Sequence, residues 1–247
     1  MDKLQNNRSP DPARPLNHLL ATLPEPDYLR LEPYLQEVKL TLGQILHEPG
    51  EPIRTVYFPN QSMISLVQIM EDGSTIEAGI VGKDGMMGHA VYLGGESSSS
   101  RAIVQIGGSA MALDAAILKA EFNQSAELRQ LLLRYTQAFI AQLSQTAACN
   151  RFHPIEERLA RWLLQSQDFA GSASLQLTQN FLSSMLGTRR ASITVAANAL
   201  QQAGLIHYNR GHIEIMNRES LESASCECYE VILSEYRRLL DLIRRID

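Results

Sequence analysis

Two adjacent arginines in the C-terminal half have the chemistry and the setting of a nucleic-acid contact. Arg189 and Arg190 come just after Gly187 and just before a stretch whose apolar side chains recur at helical spacing. Those apolar positions are Ile193, Ala196, Ala197 and Leu200. Thr194 and Asn198 fall on the same side of the helix as the arginines. Because an arginine side chain can donate to guanine O6 and N7 together, the pattern predicts a helix suited to the major groove of DNA.

The segments on either side predict how this helix is held. Thr178 is expected to cap a preceding short helix, Gly187 to end that helix, and Thr188 to cap the arginine-bearing one. Two short strand-like runs follow, at 205–208 and 212–215. Arg210 lies in the turn between them, so they predict a β-hairpin wing behind a helix-turn-helix. The alternative is an ordinary helical hairpin packed on a small sheet.

Composition is typical of a soluble globular protein with two modest domains. The chain has 247 residues, of which 45% are hydrophobic and 20% charged, and its formal net charge is −5 at pH 7. Between positions 151 and 218, however, arginines outnumber acidic residues, and this local positive balance suits phosphate contact. No apolar run reaches membrane-spanning length, and residues 1–14 lack a signal-peptide core. We therefore expect a cytoplasmic protein with a mobile arm over 1–14 and no membrane partner.

The N-terminal half predicts a small antiparallel barrel. Short strand-like runs alternate with turn residues about every ten positions, as in barrels and jelly rolls. Two longer runs, 63–70 and 75–81, flank a four-residue turn and predict a hairpin. The expected fold class is therefore α+β, beginning with an antiparallel jelly-roll barrel.

A long helix, predicted from about Ser125 to Ala148, follows the barrel. Its apolar side chains recur in steps of three and four, the spacing of a two-stranded coiled coil. The predicted dimer seam consists of Leu128, Leu132, Tyr135, Phe139 and Leu143. A second apolar set is expected to serve the barrel, namely Leu131, Leu133 and Ile140. The alternative is a helix packed only on its own barrel.

The cysteines show no disulfide or metal-binding framework in the sequence. Cys149, Cys226 and Cys228 are odd in number and irregular in spacing, so we interpret them as thiols of a reducing compartment. A zinc set that adds His207 and His212 to the last two cysteines is disfavoured, because Cys-x-Cys on a helix points its sulfurs to different sides. An N-terminal iron–sulfur cluster is disfavoured because no cysteine precedes Cys149. We assign no metal site and no cofactor.

Taken together, these segments resemble the Crp/Fnr-type bacterial transcription regulators. The matching residues are 154–164, 177–206 and the wing. The resemblance implies a cyclic-nucleotide-binding-like sensor barrel over 15–124, a dimerisation helix over 125–149, and a winged helix-turn-helix with a C-terminal helix over 150–247. It further implies a homodimer on a near-palindromic double-stranded DNA site, with RNA polymerase as another partner.

The family's DNA-contacting positions fall on the predicted helix-turn-helix and wing. Arg190 occupies the base-reading arginine position, whereas Ala191 and Val195 replace a glutamate and a second arginine that many relatives carry. The operator should therefore differ at the corresponding base pairs. Other polar side chains are suited to phosphate contacts, which fix register without reading sequence. The expected DNA-contacting set is Thr178, Gln179, Thr188, Arg189, Arg190, Ser192, Thr194 and Arg210.

The expected effector pocket departs from the family pattern. Cyclic-nucleotide binders have a Gly-Glu pair for the ribose hydroxyl, and here the pair reads Gly88-His89. They also have an arginine followed by serine or threonine for the cyclic phosphate, whereas Arg101 follows the serines and is shifted by one strand position. Both departures disfavour cyclic AMP. The expected pocket residues are Met87, Gly88, His89, Ser100, Arg101 and Tyr135.

The sequence thus predicts a regulator that is not an enzyme and that senses an unidentified small molecule or is controlled by its abundance alone. No nucleophile elbow, phosphate-binding glycine loop or metalloprotease motif is present. One alternative is a cyclic-nucleotide-activated regulator with a rearranged pocket. Another is a ligand- or protein-interaction module with vestigial DNA binding, against which the intact Arg189 and Arg190 argue. Haem bound through His89 is disfavoured, because a lone histidine is more often an ordinary surface or core residue.

Overall fold

The computed structural model describes residues 15–170 and 174–240. The arm expected over 1–14 lies outside these residues. The helices are α1 His18–Thr22, α2 Glu25–Leu31, α3 Ala115–Gln124, α4 Ala126–Phe152, α5 Ile155–Ala170, α6 Gln179–Met185, α7 Arg190–Gln202, α8 Arg218–Ser223 and α9 Cys228–Leu240. The strands are β1 Gln36–Leu40, β2 Ile45–His47, β3 Thr55–Pro59, β4 Met63–Ile69, β5 Thr75–Val81, β6 Arg101–Ile106, β7 Gly108–Asp114, β8 Ser174–Gln176, β9 Ile206–Asn209 and β10 His212–Ile215. Within this part of the chain, no helix combines the length and apolar character needed to cross a bilayer.

Two antiparallel sheets form the N-terminal barrel, which confirms the predicted α+β class. One sheet has the order β1-β7-β3 and the other β2-β6-β4-β5. The predicted hairpin is β4–β5, in which Ile69 pairs with Thr75 and Gly73 takes a φ of 81° in the turn. Phe58, Leu66, Val104 and other apolar side chains of both sheets are buried in one shared core.

Helix α4 packs against this core with the face that the sequence assigned to a dimer. Ser125 caps the helix, its Oγ accepting from the Leu128 N–H at 3.0 Å, and the helix ends just before Pro154. The predicted seam residues Leu128, Leu132, Tyr135 and Phe139 are at most 2% exposed in the single chain, and Leu143 is half-buried against the same core. The predicted dimer seam is therefore wrong, because these side chains are already buried against the barrel of their own chain. Leu133 and Ile140, expected to serve the barrel, are instead exposed.

Up to residue 240, the C-terminal segment contains two helices where a single C-terminal helix was expected. Helix α8 ends at Ser223 and α9 begins at Cys228, so residues 224–227 form a break between them. Helix α9 lies along α4 and buries Tyr229, Ile232 and Tyr236. The apolar face of α9 therefore covers α4 of the same chain.

A second hydrophobic core joins the barrel to the C-terminal helices. Met63, Val67 and Ile80 of β4 and β5 pack with buried side chains of α5, α6 and the turn after α6, among them Leu159, Trp162, Leu163, Leu182 and Leu186. A carboxyl group lies inside this contact: Glu77 of β5 is 6% exposed. Its Oε1 accepts from Trp162 Nε1 at 2.8 Å, and Ser65 Oγ donates to Oε2. Burial raises the pKa of Glu77 from 4.5 to about 7, since desolvation penalises the charged form more than these bonds favour it.

The raised pKa of Glu77 should make stability depend on pH in a predictable direction. The folded chain binds the Glu77 proton more tightly than the unfolded chain, so this contribution is fully present below pH 4.5 and is lost as pH rises through about 7. Glu77→Gln keeps a neutral group at this position. We expect the variant to match the wild type at pH 5 and to exceed its stability at pH 8 by roughly 3 kcal/mol at most.

Chemical unfolding of both proteins across pH 5–8 measures this difference. Glu71→Gln, at the exposed tip of the same hairpin, serves as the control and should follow the wild type. A stability gap between Glu77→Gln and the wild type that does not change with pH would contradict the assignment of a buried proton to Glu77.

Candidate nucleic-acid interface

The helix-turn-helix consists of α6 and α7, joined by a turn at Gly187. Thr178 caps α6 as predicted, its Oγ1 accepting from the Phe181 N–H at 3.2 Å. Gly187 has a φ of 57°, the left-handed conformation that glycine adopts at no steric cost. The predicted cap of α7 is wrong: the N-cap position is Arg189, and no side chain bonds the first turn there. Thr188 therefore lies one residue before the N-cap.

Helix α7 presents an apolar face to the core and a polar face to solvent. The four predicted core positions, Ile193, Ala196, Ala197 and Leu200, are all buried. Arg189, Arg190 and Asn198 are exposed as expected. Val195 is also exposed, at 64%, although the larger apolar side chains of this helix are buried. An exposed apolar group beside arginines is suited to a thymine methyl in the major groove.

Three of the predicted DNA-contacting residues are held together by hydrogen bonds. Arg190 Nε donates to Gln179 Oε1 at 3.4 Å, and Thr194 Oγ1 donates to the same oxygen at 3.1 Å. Gln179 thus orients the exposed Arg190 from the first turn of α6. Because α7 begins at Arg190, the positive end of its backbone dipole adds to the arginine charge at this surface.

The wing is a small sheet of order β8-β10-β9. Its tip turns through Arg210 and Gly211, whose φ angles of 47° and 84° are the pair of positive values found in type I′ hairpins. Arg210 is exposed at this tip. The Leu177 N–H donates to the Gly211 carbonyl at 2.7 Å, which holds the tip next to Thr178 at the start of α6. Arg210 and Thr178 thus lie at the same edge of the motif.

The remaining predicted contacts face a groove shared with the barrel. Thr188, Arg189 and Ser192 line one side of a groove of about 860 Å³, and the β4–β5 hairpin lines the other. The turn itself touches the hairpin, since a Cβ placed on Gly187 would lie 2.7 Å from Ile76 Cδ1. The structure therefore divides the predicted set into an outward cluster around Arg190, a wing edge around Arg210, and this groove.

Four of the six expected effector-pocket residues lie where the barrel meets α4. Met87 exchanges two backbone hydrogen bonds with Tyr57, and the next residue, Gly88, has a φ of 107° and lies against Val56. His89 packs its ring on Phe139, with centroids 5.1 Å apart. Tyr135 Oη donates to the Met86 carbonyl at 2.8 Å. Met87 and Tyr135 are part of the packed barrel core.

The other two pocket residues are engaged by partners within the barrel. Gln68 Nε2 donates to Ser100 Oγ at 2.7 Å, and Arg101 Nε donates to Glu48 Oε2 at 2.8 Å. Arg101 is thus paired with a carboxylate where a cyclic phosphate would need a free cation. His47, which no sequence pattern indicates, lines a cavity of about 390 Å³ together with Arg54 and Tyr57.

His47 and His89 both have a buried Nδ1 without a hydrogen-bond partner among the described residues. Burial lowers the pKa of both imidazoles, and the nearby His47 lowers that of His89 further. The two imidazoles are thus buried, each with an unused Nδ1, and near enough to interact electrostatically. Nothing in the sequence spacing of positions 47 and 89 indicates this proximity, because it depends on sheet pairing.

The zinc set considered from the sequence is not assembled. His207 lies exposed on the wing, and His212 Nε2 is 3.1 Å from Ser174 Oγ. Cys226 precedes α9, so Cys226 and Cys228 do not lie on one helix and their sulfurs are not directed to opposite sides as expected. Both cysteines lie instead against the end of α4.

Comparisons with known proteins agree with this architecture. Residues 157–224 match the family model described as the Crp-like helix-turn-helix domain. A search of curated proteins found no matching relative. Many solved structures share this fold, and three of them illustrate the similarity.

Each of the three structures matches this chain over nearly its own full length. A Crp-family transcriptional regulator from Thermus thermophilus covers 76% of this chain and 96% of its own, with 17% identity and a TM-score of 0.63. A second regulator from the same organism, of the Crp/Fnr family, covers 79% and 98%, with 20% identity and a TM-score of 0.62. The c-di-GMP-responsive global regulator CLP of Xanthomonas campestris covers 78% and 100%, with 14% identity and a TM-score of 0.63. Residues 157–224 are thus a Crp-like helix-turn-helix domain, and the chain has the fold of the Crp/Fnr-type transcription regulators.

Proposed function

We propose that the protein is a sequence-specific DNA-binding transcription regulator whose reading surface is the exposed side of α7. The observation that carries this proposal is the outward cluster of Arg190, Gln179 and Thr194, in which a hydrogen-bonded arginine stands at the first turn of an exposed helix. Val195 on the same side supplies an apolar contact for a thymine methyl. Thr178, Thr188, Arg189, Ser192 and Arg210 are the proposed phosphate contacts.

The proposed assembly is a homodimer formed by an exposed stripe of α4. Its members are Ala126, Gln130, Leu133, Gln137, Ile140, Ser144 and Ala147, and all of them are exposed. They recur in strictly alternating steps of four and three, which is the heptad spacing of a two-stranded coiled coil. Leu133 and Ile140, 47% and 56% exposed, are the large apolar members. Pairing along this stripe would place two copies of α7 on a near-palindromic site.

We propose that the chain consists of a sensor barrel over 15–124, a dimerisation helix over 125–149 and a DNA-binding domain over 150–247. We propose an effector other than cyclic AMP, because Gly88-His89 offers no carboxylate for a ribose and Arg101 is paired with Glu48. The cavity beside His47 is the proposed place for it. RNA polymerase is the expected further partner of a regulator of this type. A cyclic-nucleotide-activated regulator is the second candidate, and it requires Arg101 to leave Glu48.

Replacing Arg190 should weaken and broaden DNA recognition. Arg190→Ala removes a guanidinium able to donate to guanine O6 and N7, so we expect a loss of about 1–3 kcal/mol on the specific site and relaxed preference at one base pair per half-site. Fluorescence anisotropy with DNA from upstream of the protein's own gene, titrated against salt and against single-base operator variants, measures both effects.

The matched control is Arg237→Ala, which removes an arginine from α9, away from the helix-turn-helix. It should leave affinity and base preference as in the wild type. If Arg190→Ala retains the wild-type ranking of operator variants, the base contact belongs to another residue. If the wild-type protein itself shows no preference among DNA sequences, the interaction-module alternative is favoured.

Charged substitutions in the exposed stripe of α4 should separate the two copies. Leu133→Glu combined with Ile140→Glu places four carboxylates in the seam of a dimer, and like charges there disfavour pairing. We expect monomers in sedimentation equilibrium and a loss of operator affinity of at least roughly tenfold, since each half-site would be bound alone. Val231→Glu, at an exposed apolar position of α9, is the control and should remain dimeric. A double variant that stays dimeric would place the interface elsewhere.

A further inference from the structure

Four metal-ligand side chains converge where α4 ends and α9 begins. Cys149 and His153 lie one turn apart at the end of α4, and Cys226 and Cys228 come from the break between α8 and α9 and the first residue of α9. One ligand atom from each lies within 4.8 Å of all the others. The Sγ atoms of Cys149 and Cys226 are 3.5 Å apart, and Cys228 Sγ is 3.4 Å from His153 Nδ1. The three cysteines are buried and form a cluster of their own.

These distances match the edges of one tetrahedral metal site. With Zn–S bonds of about 2.3 Å and a Zn–N bond of about 2.0 Å, tetrahedral geometry separates two sulfurs by about 3.8 Å and a sulfur from a nitrogen by about 3.5 Å. A disulfide would use two of the cysteines and leave the third thiol and the imidazole crowded beside it. An iron–sulfur cluster would spread its ligating sulfurs around a larger cage. One ion uses all four side chains.

Neighbouring groups orient two of the four ligands. His153 Nε2 is 3.2 Å from Glu227 Oε2, so an Nε2–H can donate to that carboxylate and leave the Nδ1 lone pair facing Cys228. A carboxylate that holds the far nitrogen of a histidine is the usual partner of a metal-bound imidazole. Gln145 Nε2 donates to Cys228 Sγ at 3.1 Å, which places a hydrogen bond on a sulfur that would carry negative charge.

Two buried arginines lie beside the cysteine cluster. Arg158 and Arg161 are 8% and 3% exposed, and each has an Nε without a partner among the described residues. Three thiolates, a neutral imidazole and one divalent ion have a net charge of −1, which compensates part of this buried positive charge. These two arginines are thus unavailable to DNA phosphates.

We propose that Cys149, His153, Cys226 and Cys228 bind one zinc ion in a closed structural site. Three sulfurs and one nitrogen without an open position are a ligand set that selects zinc among the common divalent ions and leaves no place for a substrate. The ion ties the start of α9 to the last turns of α4, directly before the break at Pro154 that leads into the DNA-binding part. Loss of the ion should weaken the packing of α9 on α4 and increase the mobility of the segment that joins the barrel to the helix-turn-helix.

The first test is the metal content of the full-length, tag-free protein, measured by inductively coupled plasma mass spectrometry together with the number of reactive thiols. We expect one zinc per chain and release of that zinc when the thiols are titrated with a mercurial. Cys228→Ser should lose most of the zinc, whereas His207→Ala, which removes the histidine of the unassembled set, should retain all of it. Circular dichroism of each variant shows whether its helices are intact.

The second test does not depend on a variant that folds without metal. Cobalt added to the metal-free wild type should give the intense visible bands of a tetrahedral site and thiolate-to-metal charge transfer in the near ultraviolet. His153→Cys should still bind one ion, with increased charge-transfer absorption, whereas His153→Ala should bind it more weakly. This rescue distinguishes a ligand from a residue that only packs.

Three outcomes would overturn the proposal. The first is protein isolated without metal whose cobalt complex has no tetrahedral bands. The second is undiminished zinc in Cys228→Ser, which would show an adventitious ion bound elsewhere. The third is iron with acid-labile sulfide in protein purified without air, which would replace the single ion by a cluster. None of these results depends on whether the protein binds its operator, so they leave the proposed function to its own tests.

Discussion

The packing of Trp162 against the β4–β5 hairpin is the contact on which the relation between the two halves depends. A buried indole N–H needs an acceptor, and Glu77 of β5 provides one inside an otherwise apolar cluster. The acceptor is a carboxyl group whose pKa is raised to about 7, because desolvation outweighs the hydrogen bonds that favour its charged form. Because the apolar cluster includes side chains of both halves, the orientation of the helix-turn-helix is set by the barrel and not by a free linker.

Helix α4 meets different neighbours around its circumference. Tyr135 and Phe139 face the barrel, Gln142 meets both β5 and Tyr236 of α9, and Ile140 faces solvent. The ring of His89 packs on Phe139 of α4. The short helical turn His89–Val91 of the barrel therefore contacts the same helix that carries the exposed stripe. A ligand that displaced His89 would therefore press on α4 directly, which is the kind of differential contact that a conformational switch requires.

Local signals in the sequence were sufficient for the helix-turn-helix and the barrel hairpin, because a cap at Thr178 and turns at Gly187 and Gly73 are fixed by neighbouring residues. The face of α4 was not predictable in the same way. Apolar residues spaced three and four apart show that one face of a helix is buried. They do not show which surface covers that face, because this depends on the tertiary fold. Here the barrel of the same chain covers it. The cysteine site was likewise only partly predictable. Cys149 and His153 have the i, i+4 spacing of ligands on a helix. The sulfurs of Cys226 and Cys228 come close to them only because α9 packs on α4.

Two adjacent residues of β5 contact α5 and the turn between α6 and α7. Glu77 bonds Trp162 of α5, and its neighbour Ile76 lies against Gly187 in the turn between α6 and α7. Since α5 and that turn are fixed to the same strand, a displacement of β5 would carry α7 with it as a unit. A groove lined by Thr188, Arg189 and Ser192 lies open next to this contact. A shift of the β4–β5 hairpin relative to α4 would have to break or carry along the hydrogen bond that Gln142 of α4 accepts from the Ile80 N–H.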